Sequence, residues 1–461
     1  MHEPTNQHWT LSDLCEALTG NLVALKGSTR QTFSSITTDS RTVAKGEVFV
    51  ALVGEKFDGH DYALAAEKAG AGALVLNRSV GAACPELIVN DTAEAYGSLA
   101  RFWRRRLSLP LIAVVGSNGK TTTTQMTGAI LSSYAGEEAF CTRGNLNNNV
   151  GVPRMLLELT EKTRIAVIEA GMNHAGEMAQ LASWIAPTVV VITNAQREHQ
   201  AYIDGVEGSA RENAMALVAL PETGCAVLPI TDSCYRIWAD FARARGCRVL
   251  TYSAGVSAAD VQAVREGGDL VLTTPLGVTR FHFSMAGEHA VHDAAAAAAA
   301  SLAAGVPLED IACGLASFTP LAGRGKIYRF ESGALLIDES YNANPDSMRS
   351  AIDVLATMPS PRILVAGEMG ELGKRSQDFH EEVLRYAKNK GIDALYLTGK
   401  AMKDALGAAG AAAHFYLKCE DLTRAVQEAI KTPCTVLVKA SHYVGLDAVV
   451  RAVTTDPKKG N

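Results

Sequence analysis

The sequence lacks several features that mark common functional classes. No apolar run reaches about 18 residues, so no transmembrane helix is expected. The start, MHEPTNQHWTL, has no basic segment followed by an apolar one, so we expect no signal peptide. The nine cysteines form no Cys-x-x-Cys pair, which argues against a zinc ribbon or a disulfide framework. The net charge of −6 argues against nucleic acid or a membrane surface as a partner. These absences predict a cytoplasmic globular protein with reduced thiols.

The 461 residues, 48% of them hydrophobic, are enough for several domains and fall into three blocks. Residues 1–105 contain short β-like runs, GEVFVAL and GALVLN, around a helical stretch. Residues 106–321 contain the near-continuous apolar runs LIAVVG, RIAVIEA and TVVVITN. Such runs, separated by helical stretches, are typical of a parallel sheet covered on both faces.

The third block, residues 322–461, alternates helical stretches with the runs ALLIDES, RILVAGEM, ALYLTG and TVLVKAS, and AHFYL is a further candidate strand. This alternation predicts a doubly wound domain. It has no G-x-G-x-x-G, which argues against an NAD site. We therefore predict an α/β protein of three domains: a small α/β N-terminal domain, a central parallel-sheet P-loop ATPase domain and a C-terminal Rossmann-like domain.

The stretch GSNGKT (Gly116–Thr121) is the strongest functional signal. It follows an apolar run and precedes a helical pattern, as a phosphate-binding loop requires. Glycines let the backbone aim N–H groups at an anion, and the helix N-terminus adds a favourable field. Lys120 would then supply charge for the outer phosphates, and a threonine hydroxyl would reach Mg²⁺. However, Val114 stands where the usual longer loop has its first glycine, so a damaged site, a variant site and an ordinary turn all remain open.

Two further residues lie where a metal-binding group is needed. Glu169 ends the run RIAVIEA and His199 follows the run TVVVITN. Ligands gather at the carboxyl ends of strands in open α/β sheets, and both a carboxylate and a neutral imidazole bind divalent ions. Each residue alone could also be a solvated group at a strand end. Together with the loop threonine they predict a site for a nucleotide and Mg²⁺.

These motifs resemble those of the Mur ligase family and its folylpolyglutamate synthetase relatives, in which GSNGKT is similar to a shortened phosphate loop. Four stretches resemble the branch that joins D-alanyl-D-alanine to a UDP-N-acetylmuramoyl-tripeptide: GNLNNNVGVP (144–153), EAGMNHAGEM (169–178), DESYNANPDSM (338–348) and GEMGELG (367–373). The stretch TDSRTVAKGEVFVALVGEKFDGHDY (38–62) resembles the uridine-nucleotide domain of that branch and of its sister. The resemblance covers nearly the whole chain.

The closest rival is the sister branch, which adds one diamino acid, meso-diaminopimelate or L-lysine, to the dipeptide precursor. Its third domain carries an Asp-Asn-Pro-Arg motif that this sequence lacks, whereas YNANP at 341–345 favours the dipeptide-adding branch. YNANP also has a purely structural explanation. Asn344 would cap a helix, Pro345 suits its first position and Asp346 suits its first turn.

The resemblance implies that ATP phosphorylates the substrate carboxylate and that the amine of D-alanyl-D-alanine attacks the acyl phosphate. It implies catalytic roles for Lys120 at the phosphates, for Glu169 with Thr121 at one Mg²⁺, and for His199 at a second Mg²⁺. The residues it assigns to ATP are Gly116, Ser117, Asn118, Gly119, Lys120, Thr121, Thr122, Asp293, Arg324, Asp338, Tyr341, Asn342 and Asn344. Those it assigns to the nucleotide sugar are Ser40, Arg41, Asn145, Asn147 and Asn148, although an asparagine run is also typical of turns.

A hinge near residues 322–325 would let the third domain close over the site. We expect a monomer whose partners are the two small-molecule substrates.

Two stretches depart from the family pattern: the one that contains Asn213, and GEHAVHDA (287–294), where Ala290 and Asp293 stand in place of asparagines. Most relatives have a lysine that becomes a carbamate and helps hold the second metal, where this sequence has Asn213. The second metal would then be held differently, for example with Glu212, or more weakly. Asp293 replaces an asparagine that commonly touches adenine, which alters the donors and acceptors there. Asn213 also leaves open a catalytically dead scaffold. A P-loop switch or motor is disfavoured, because the sequence has neither a guanine-reading Asn-Lys-x-Asp nor tandem ATPase units.

Overall fold

The computed structural model describes residues 8–54, 56–198 and 201–455, and its three sheets follow one another along the chain. The strands of the N-terminal sheet are β1 (Leu22–Lys26), β2 (Ile36–Thr37), β3 (Val48–Val50), β4 (Ala73–Leu76) and β5 (Glu86–Val89). Its helices are α1 (Leu11–Ala17), α2 (Ala63–Ala69) and α3 (Thr92–Arg106). The strand order is β1-β5-β4-β3-β2, with only the β1–β5 pair antiparallel among these described strands.

The central sheet carries the phosphate loop and has nine strands in the described part of the chain. They are β6 (Leu111–Val115), β7 (Ala139–Cys141), β8 (Ile165–Glu169), β9 (Val189–Ile192), β10 (Cys225–Pro229), β11 (Arg248–Ala254), β12 (Val261–Glu266), β13 (Asp269–Thr274) and β14 (Gly277–His282). The helices are α4 (Lys120–Ala135), α5 (Gly151–Leu157), α6 (Glu177–Ile185), α7 (Gly205–Ala214), α8 (Tyr235–Ala244), α9 (Glu288–Ala303) and α10 (Leu308–Ser317). The order β14-β13-β12-β11-β10-β9-β6-β8-β7 places β6 between β9 and β8.

Among the residues up to 455 that the structure describes, the C-terminal sheet has six strands: β15 (Lys326–Arg329), β16 (Leu335–Glu339), β17 (Arg362–Ala366), β18 (Ala394–Leu397), β19 (Ala413–Phe415) and β20 (Thr435–Lys439). Its helices are α11 (Pro345–Ala356), α12 (Ser376–Asn389), α13 (Lys400–Asp404), α14 (Cys419–Ala429) and α15 (Asp447–Thr454). The order is β15-β16-β20-β17-β18-β19, and all neighbours except β15 and β16 are parallel.

The three-domain α/β architecture predicted from the sequence is confirmed. β6, β8 and β9 are buried along their whole length, as continuous apolar runs predict for parallel strands covered on both faces. The central sheet is not entirely parallel, however, because β12, β13 and β14 form an antiparallel meander at its edge. Within the described residues no helix combines the length and apolarity needed to cross a bilayer. All nine cysteines are free.

The junction between the first two sheets is fixed by the end of α3. Arg104 is buried there, and its guanidinium donates hydrogen bonds to the carbonyl oxygens of Leu107, Leu109, Ile185 and Ala186. These four carbonyls belong to the chain leading into β6 and to the end of α6. The arginine therefore anchors the N-terminal domain against the central one.

Candidate active site

The stretch predicted to bind phosphate is a tight turn between β6 and α4. Gly116 has φ +129° and Gly119 has φ +81°, a region that favours glycine. A Cβ at Gly116 would come within 2.1 Å of the Thr193 hydroxyl oxygen, and one at Gly119 within 2.3 Å of a carboxylate oxygen of Asp293. The turn thus needs glycine for both backbone conformation and space. It presents the N-terminus of α4 to any anion bound above it.

Lys120 begins α4 and folds back over this turn. Its Nζ donates to the carbonyl oxygens of Gly116 (2.6 Å) and Ser117 (2.9 Å) and lies 3.3 Å from Oε2 of Glu198. The side chain is 16% exposed, so its charge is largely removed from water but remains accessible from the cleft. A phosphate at the turn would meet an ammonium group already held in place.

Glu169, at the end of β8, has one carboxylate oxygen engaged and one available. Oε1 accepts hydrogen bonds from the Thr121 hydroxyl (3.2 Å) and the Asn147 amide (2.7 Å). Oε2 is buried and receives no hydrogen bond from the residues that the structure describes. A buried carboxylate oxygen in this state is costly unless a cation or donor meets it. Glu169 and the Thr121 hydroxyl therefore fit Mg²⁺.

That fit requires oxygen atoms from a ligand as well. Within the described ranges, no group of three or more His, Cys, Asp or Glu side chains could hold a metal ion. Mg²⁺ is commonly bound by one or two carboxylates together with substrate phosphates and water, which matches what Thr121 and Glu169 offer. His199, the predicted ligand of a second ion, lies outside the described residues.

The C-terminal domain closes the cleft from the other side. Arg324 donates a hydrogen bond to the Thr121 hydroxyl (3.2 Å), and its guanidinium carbon lies 3.9 Å from the centroid of the Tyr341 ring. His442 stacks near Tyr341, with ring centroids 5.3 Å apart. Arg324 is therefore brought directly to the Thr121 hydroxyl, and Tyr341, which is also predicted to contact ATP, packs against Arg324.

Asn118 and Asn344, 226 residues apart, are joined across the cleft. Asn344 Nδ2 donates to Asn118 Oδ1 at 2.8 Å, and Asn118 Nδ2 donates back to Asn344 Oδ1 at 3.3 Å. Asn344 also caps α11, because its Oδ1 accepts the Ser347 amide hydrogen at 2.8 Å. The structural role predicted for Asn344 is confirmed, and the residue also contacts the phosphate loop.

The other residues predicted to bind ATP bond to nearby backbone or lie beside the phosphate loop. Asp338 is buried and accepts from the Gly323 amide (2.7 Å) and the Ser340 hydroxyl (2.6 Å), so it fixes the backbone next to Arg324. Asn342 lies in the turn before α11, where its own side chain accepts the following amide hydrogen. Ser117 receives the Gln196 amide hydrogen on its hydroxyl. Thr122 is on the first turn of α4.

The residues predicted to hold the nucleotide sugar divide into two groups. Ser40 and Arg41 lie on the N-terminal domain, where hydrogen bonds from Arg41 lower the pKa of Asp39 to about 2. Asn147 reaches Glu169, and Asn145 accepts from the Asn147 amide at 3.1 Å. Asn148 instead accepts the amide hydrogens of the residues that begin α5, at 3.1 and 2.8 Å, so its side-chain oxygen is used in the local turn.

Comparison with known proteins decides the family. Three family models match: residues 32–104 match the Mur ligase family catalytic domain, 114–301 the Mur ligase middle domain, and 323–442 the Mur ligase glutamate ligase domain. The chain is 37% identical to the UDP-N-acetylmuramoyl-tripeptide–D-alanyl-D-alanine ligase of Escherichia coli, over 96% of this chain and 98% of that protein. The chain belongs to the Mur ligase family.

Other similar proteins agree with this assignment. The ligase of the same name from Bacillus subtilis is 31% identical, over 97% of this chain and 99% of that protein. A crystal structure of MurF from Acinetobacter baumannii has a TM-score of 0.90 and 31% identity, covering 98% of this chain and 99% of that one. The MurF ligase of Thermotoga maritima, solved with ADP, has a TM-score of 0.79 and 24% identity, over 91% and 96% of the two chains, and shows the fold.

Asn213, expected from the resemblance to stand in place of a lysine, is fully buried on α7. Its Nδ2 donates to the Ser209 carbonyl oxygen at 2.9 Å, and its Oδ1 has no hydrogen-bond partner among the described residues. Glu212, considered from the sequence as a replacement ligand, accepts the amide hydrogens of Gly176 and Met178 at the start of α6. Oε1 of Glu212 is therefore already hydrogen-bonded to the start of α6.

The second departure, Asp293, lies buried on α9 beside the phosphate loop of this Mur ligase, facing Gly119. Burial raises the pKa of Asp293 well above its ordinary range, and the charge of Glu339 raises it further. A protonated carboxyl has one donor and one acceptor side. In that form Asp293 resembles an asparagine amide more closely than a carboxylate does.

Sequence reasoning missed two residues of the loop after β9. Arg197 donates to Asp346 and Glu382 of the C-terminal domain, and Glu198 lies beside Lys120. Both immediately precede the predicted His199 in the string NAQREHQ. The signal available was three ionisable residues in a row at the carboxyl end of a strand next to the phosphate loop.

Proposed function

We propose that this Mur ligase joins D-alanyl-D-alanine to a UDP-N-acetylmuramoyl-tripeptide with hydrolysis of ATP to ADP and phosphate. The observation that carries the proposal is the shared site at which Lys120, Thr121 and Glu169 of the central domain meet Arg324 of the C-terminal domain. Relatives bearing the name of this activity match the chain almost end to end. The nucleotide-sugar substrate would lie between the N-terminal domain, which we place at residues 1–105, and the central domain at 106–321.

The first half-reaction transfers the γ-phosphoryl group of ATP to an oxygen of the substrate carboxylate. The bond between the β–γ bridging oxygen and the γ-phosphorus breaks, ADP departs, and an acyl phosphate remains. Lys120 and the N-terminus of α4 offset the charge of the outer phosphates, which otherwise repel the carboxylate. Arg324 adds a second positive charge. It belongs to the C-terminal domain, for which we propose the bounds 322–461.

Mg²⁺, held by Glu169 and Thr121, would supply the remaining charge neutralisation when bound. The chain's own contribution at that point is orientation: Asn147 and Thr121 fix one oxygen of Glu169 and leave the other directed into the buried site. His199 stays a predicted ligand of a second ion.

In the second half-reaction the amine of D-alanyl-D-alanine attacks the acyl carbon. A carbon–nitrogen bond forms, the carbon–oxygen bond to phosphate breaks, and the amine loses a proton as phosphate leaves. Closure of the C-terminal domain excludes water, which would otherwise hydrolyse the acyl phosphate. Contacts between Asn118 and Asn344, and between Arg324 and Thr121, hold the domain in that closed position.

A coupled ADP-release assay with defined nucleotide-peptides tests the proposal. ADP release should require both UDP-N-acetylmuramoyl-tripeptide and D-alanyl-D-alanine. Release with the dipeptide precursor and meso-diaminopimelate or L-lysine instead would assign the chain to the sister activity. Release that is independent of any carboxylate acceptor would identify an ATPase. We further propose that the enzyme acts as a monomer in the cytoplasm, where both of its nucleotide substrates are available.

A further inference from the structure

Glu198 follows β9, whereas Glu169 ends β8. β8 and β9 flank β6, so the residues that follow each of these strands reach the loop from either side. Glu198 is 6% exposed, and its Oε2 is 3.3 Å from the Nζ of Lys120. A carboxylate this deeply buried needs a cation beside it. Lys120 fills that role in the described structure.

The position of Glu198 is fixed by the segment that carries it. The Thr193 hydroxyl donates to the Asn118 carbonyl oxygen at 2.7 Å, and the Ser117 amide donates to the Asn194 carbonyl oxygen at 3.1 Å. The Gln196 amide donates to the Ser117 hydroxyl oxygen at 3.0 Å. Because three residues of this segment are bonded to the phosphate loop, the backbone that leads to Glu198 is held against that loop.

The acidic residues of α7 are engaged elsewhere. Glu212 caps the start of α6, and Glu207 pairs with Arg211 on the exposed face of α7 at 2.6 Å. Asn213, at the position of the metal-binding carbamate in most relatives, is neutral and buried. Both carboxylates of α7 therefore already have partners.

We propose that Glu198 supplies the anionic protein ligand of the second divalent ion in this enzyme, in place of the carbamate. This inference rests on the proposed function. When ATP binds, the ammonium of Lys120 gains the phosphates as counter-charge and Glu198 gains the metal. Each buried charge thus exchanges one partner of opposite sign for another. One carboxylate after each of the two strands that flank β6 would suit two ions that stabilise phosphoryl transfer.

Manganese binding tests this assignment without relying on turnover. The full chain, saturated with UDP-N-acetylmuramoyl-tripeptide and a nonhydrolysable ATP analogue, is titrated with Mn²⁺ and free Mn²⁺ is followed by electron paramagnetic resonance. Wild type should bind two ions. Glu198→Gln should bind one tightly and weaken the second by tenfold or more. Glu207→Gln, which also removes one carboxylate but on the exposed face of α7, should keep both.

The variant Glu198→Asp guards against a folding defect in Glu198→Gln. It retains the carboxylate and should bind the second ion more tightly than Glu198→Gln does. Two ions bound at wild-type affinity by Glu198→Gln would overturn the assignment, as would a single ion in the wild type. Weaker nucleotide binding with unchanged Mn²⁺ binding would also overturn it, and would make Glu198 a positioning residue for Lys120.

The same preparation separates this inference from the proposed function. ADP release by the wild type that does not depend on D-alanyl-D-alanine would reject the proposed function. Loss of one Mn²⁺ in Glu198→Gln would in that case still support the ligand assignment. Conversely, an active ligase whose Glu198→Gln variant keeps two Mn²⁺ ions would reject only the assignment.

Discussion

Lys120 is the residue whose loss should damage catalysis most without disturbing the fold. Its ammonium contacts loop carbonyls and Glu198, and none of the apolar core depends on it. Lys120→Ala should lower the rate of ADP release by about 100- to 1000-fold or more, because a preorganised charge at the phosphates is removed. The chain should still fold, but its melting temperature should fall by several degrees, because the buried Glu198 carboxylate loses the counter-charge of Lys120. Lys162→Ala, at an exposed turn of the same domain, is the control and should retain full activity.

Asp293 should make stability depend on pH in a way that an asparagine would not. Its pKa, raised by burial and by Glu339, is higher in the folded than in the unfolded chain. The folded chain therefore binds more protons above the ordinary carboxyl pKa of 3.8, and the free energy of unfolding falls as pH rises through that window. Asp293→Asn should raise the melting temperature near neutral pH.

Thermal melts from about pH 4 to about pH 8 check this prediction, since the difference between the two proteins should shrink toward acid. Asp61→Asn, at an exposed position, controls for the loss of a carboxylate and should leave the pH slope unchanged. Parallel slopes for Asp293→Asn and wild type would show that Asp293 is ionised in the folded chain.

At the scale of elements, the turn between β6 and α4 should tolerate no side chain at Gly116. An alanine there combines a φ of +129° with a Cβ 2.1 Å from the Thr193 hydroxyl oxygen and 2.8 Å from its backbone nitrogen. The loop after β9 would be pushed away from the phosphate loop. Gly116→Ala should abolish measurable ATP binding in calorimetry and lower the melting temperature.

Gly305→Ala is the matched control for that prediction. Gly305 also has a positive φ, +87°, but a Cβ there meets nothing within 4 Å. The substitution should cost only about 1–2 kcal/mol of stability, from the left-handed backbone, and leave ATP binding intact. ATP bound equally well by both alanine variants would mean that the contact with Thr193 is unimportant.

The elements that the sequence predicted best are those buried on both faces. β6, β8 and β9 were identifiable because continuous apolar runs admit few other structures. The sequence also predicts the cap at Asn344, since Asn-Pro-Asp is typical of a helix start. The meander of β12, β13 and β14 contains no continuous apolar run, because β12 and β13 alternate buried residues with more exposed ones and β14 buries none. A search for period-two alternation finds such strands.

At the scale of the whole molecule, the contacts that assemble the site join residues far apart in sequence. Asn118 and Asn344 are 226 positions apart, and Arg324 and Thr121 are 203. No local pattern encodes such pairs, because each member also has a local explanation as a loop residue or a helix cap. The sequence therefore predicts the site residues of the central domain and those of the C-terminal domain separately. Which residue contacts which across the cleft depends on how the two domains pack.

Arg197 should control how firmly the C-terminal domain stays closed. It donates to Asp346 on α11 at 2.5 Å and to Glu382 on α12 at 2.9 Å, and all three side chains are mostly buried. The hydrogen bonds from Arg197 hold the pKa of Asp346 below its usual range despite the opposing effect of burial. Removing one member of such a charge pair typically costs about 2–5 kcal/mol, much of it from the stranded partners.

Arg197→Ala should therefore open the molecule. In small-angle X-ray scattering without ligands its radius of gyration should exceed that of the wild type, and the KM for ATP should rise by roughly tenfold or more. Arg385→Ala removes an exposed arginine that pairs with Glu381 within α12, so it should change neither quantity. If Arg197→Ala stays as compact as wild type and keeps its KM, closure does not depend on Arg197, and other contacts such as Asn118–Asn344, Arg324–Thr121 and the hydrogen bond from the Ala201 amide to the Glu371 carbonyl oxygen are sufficient.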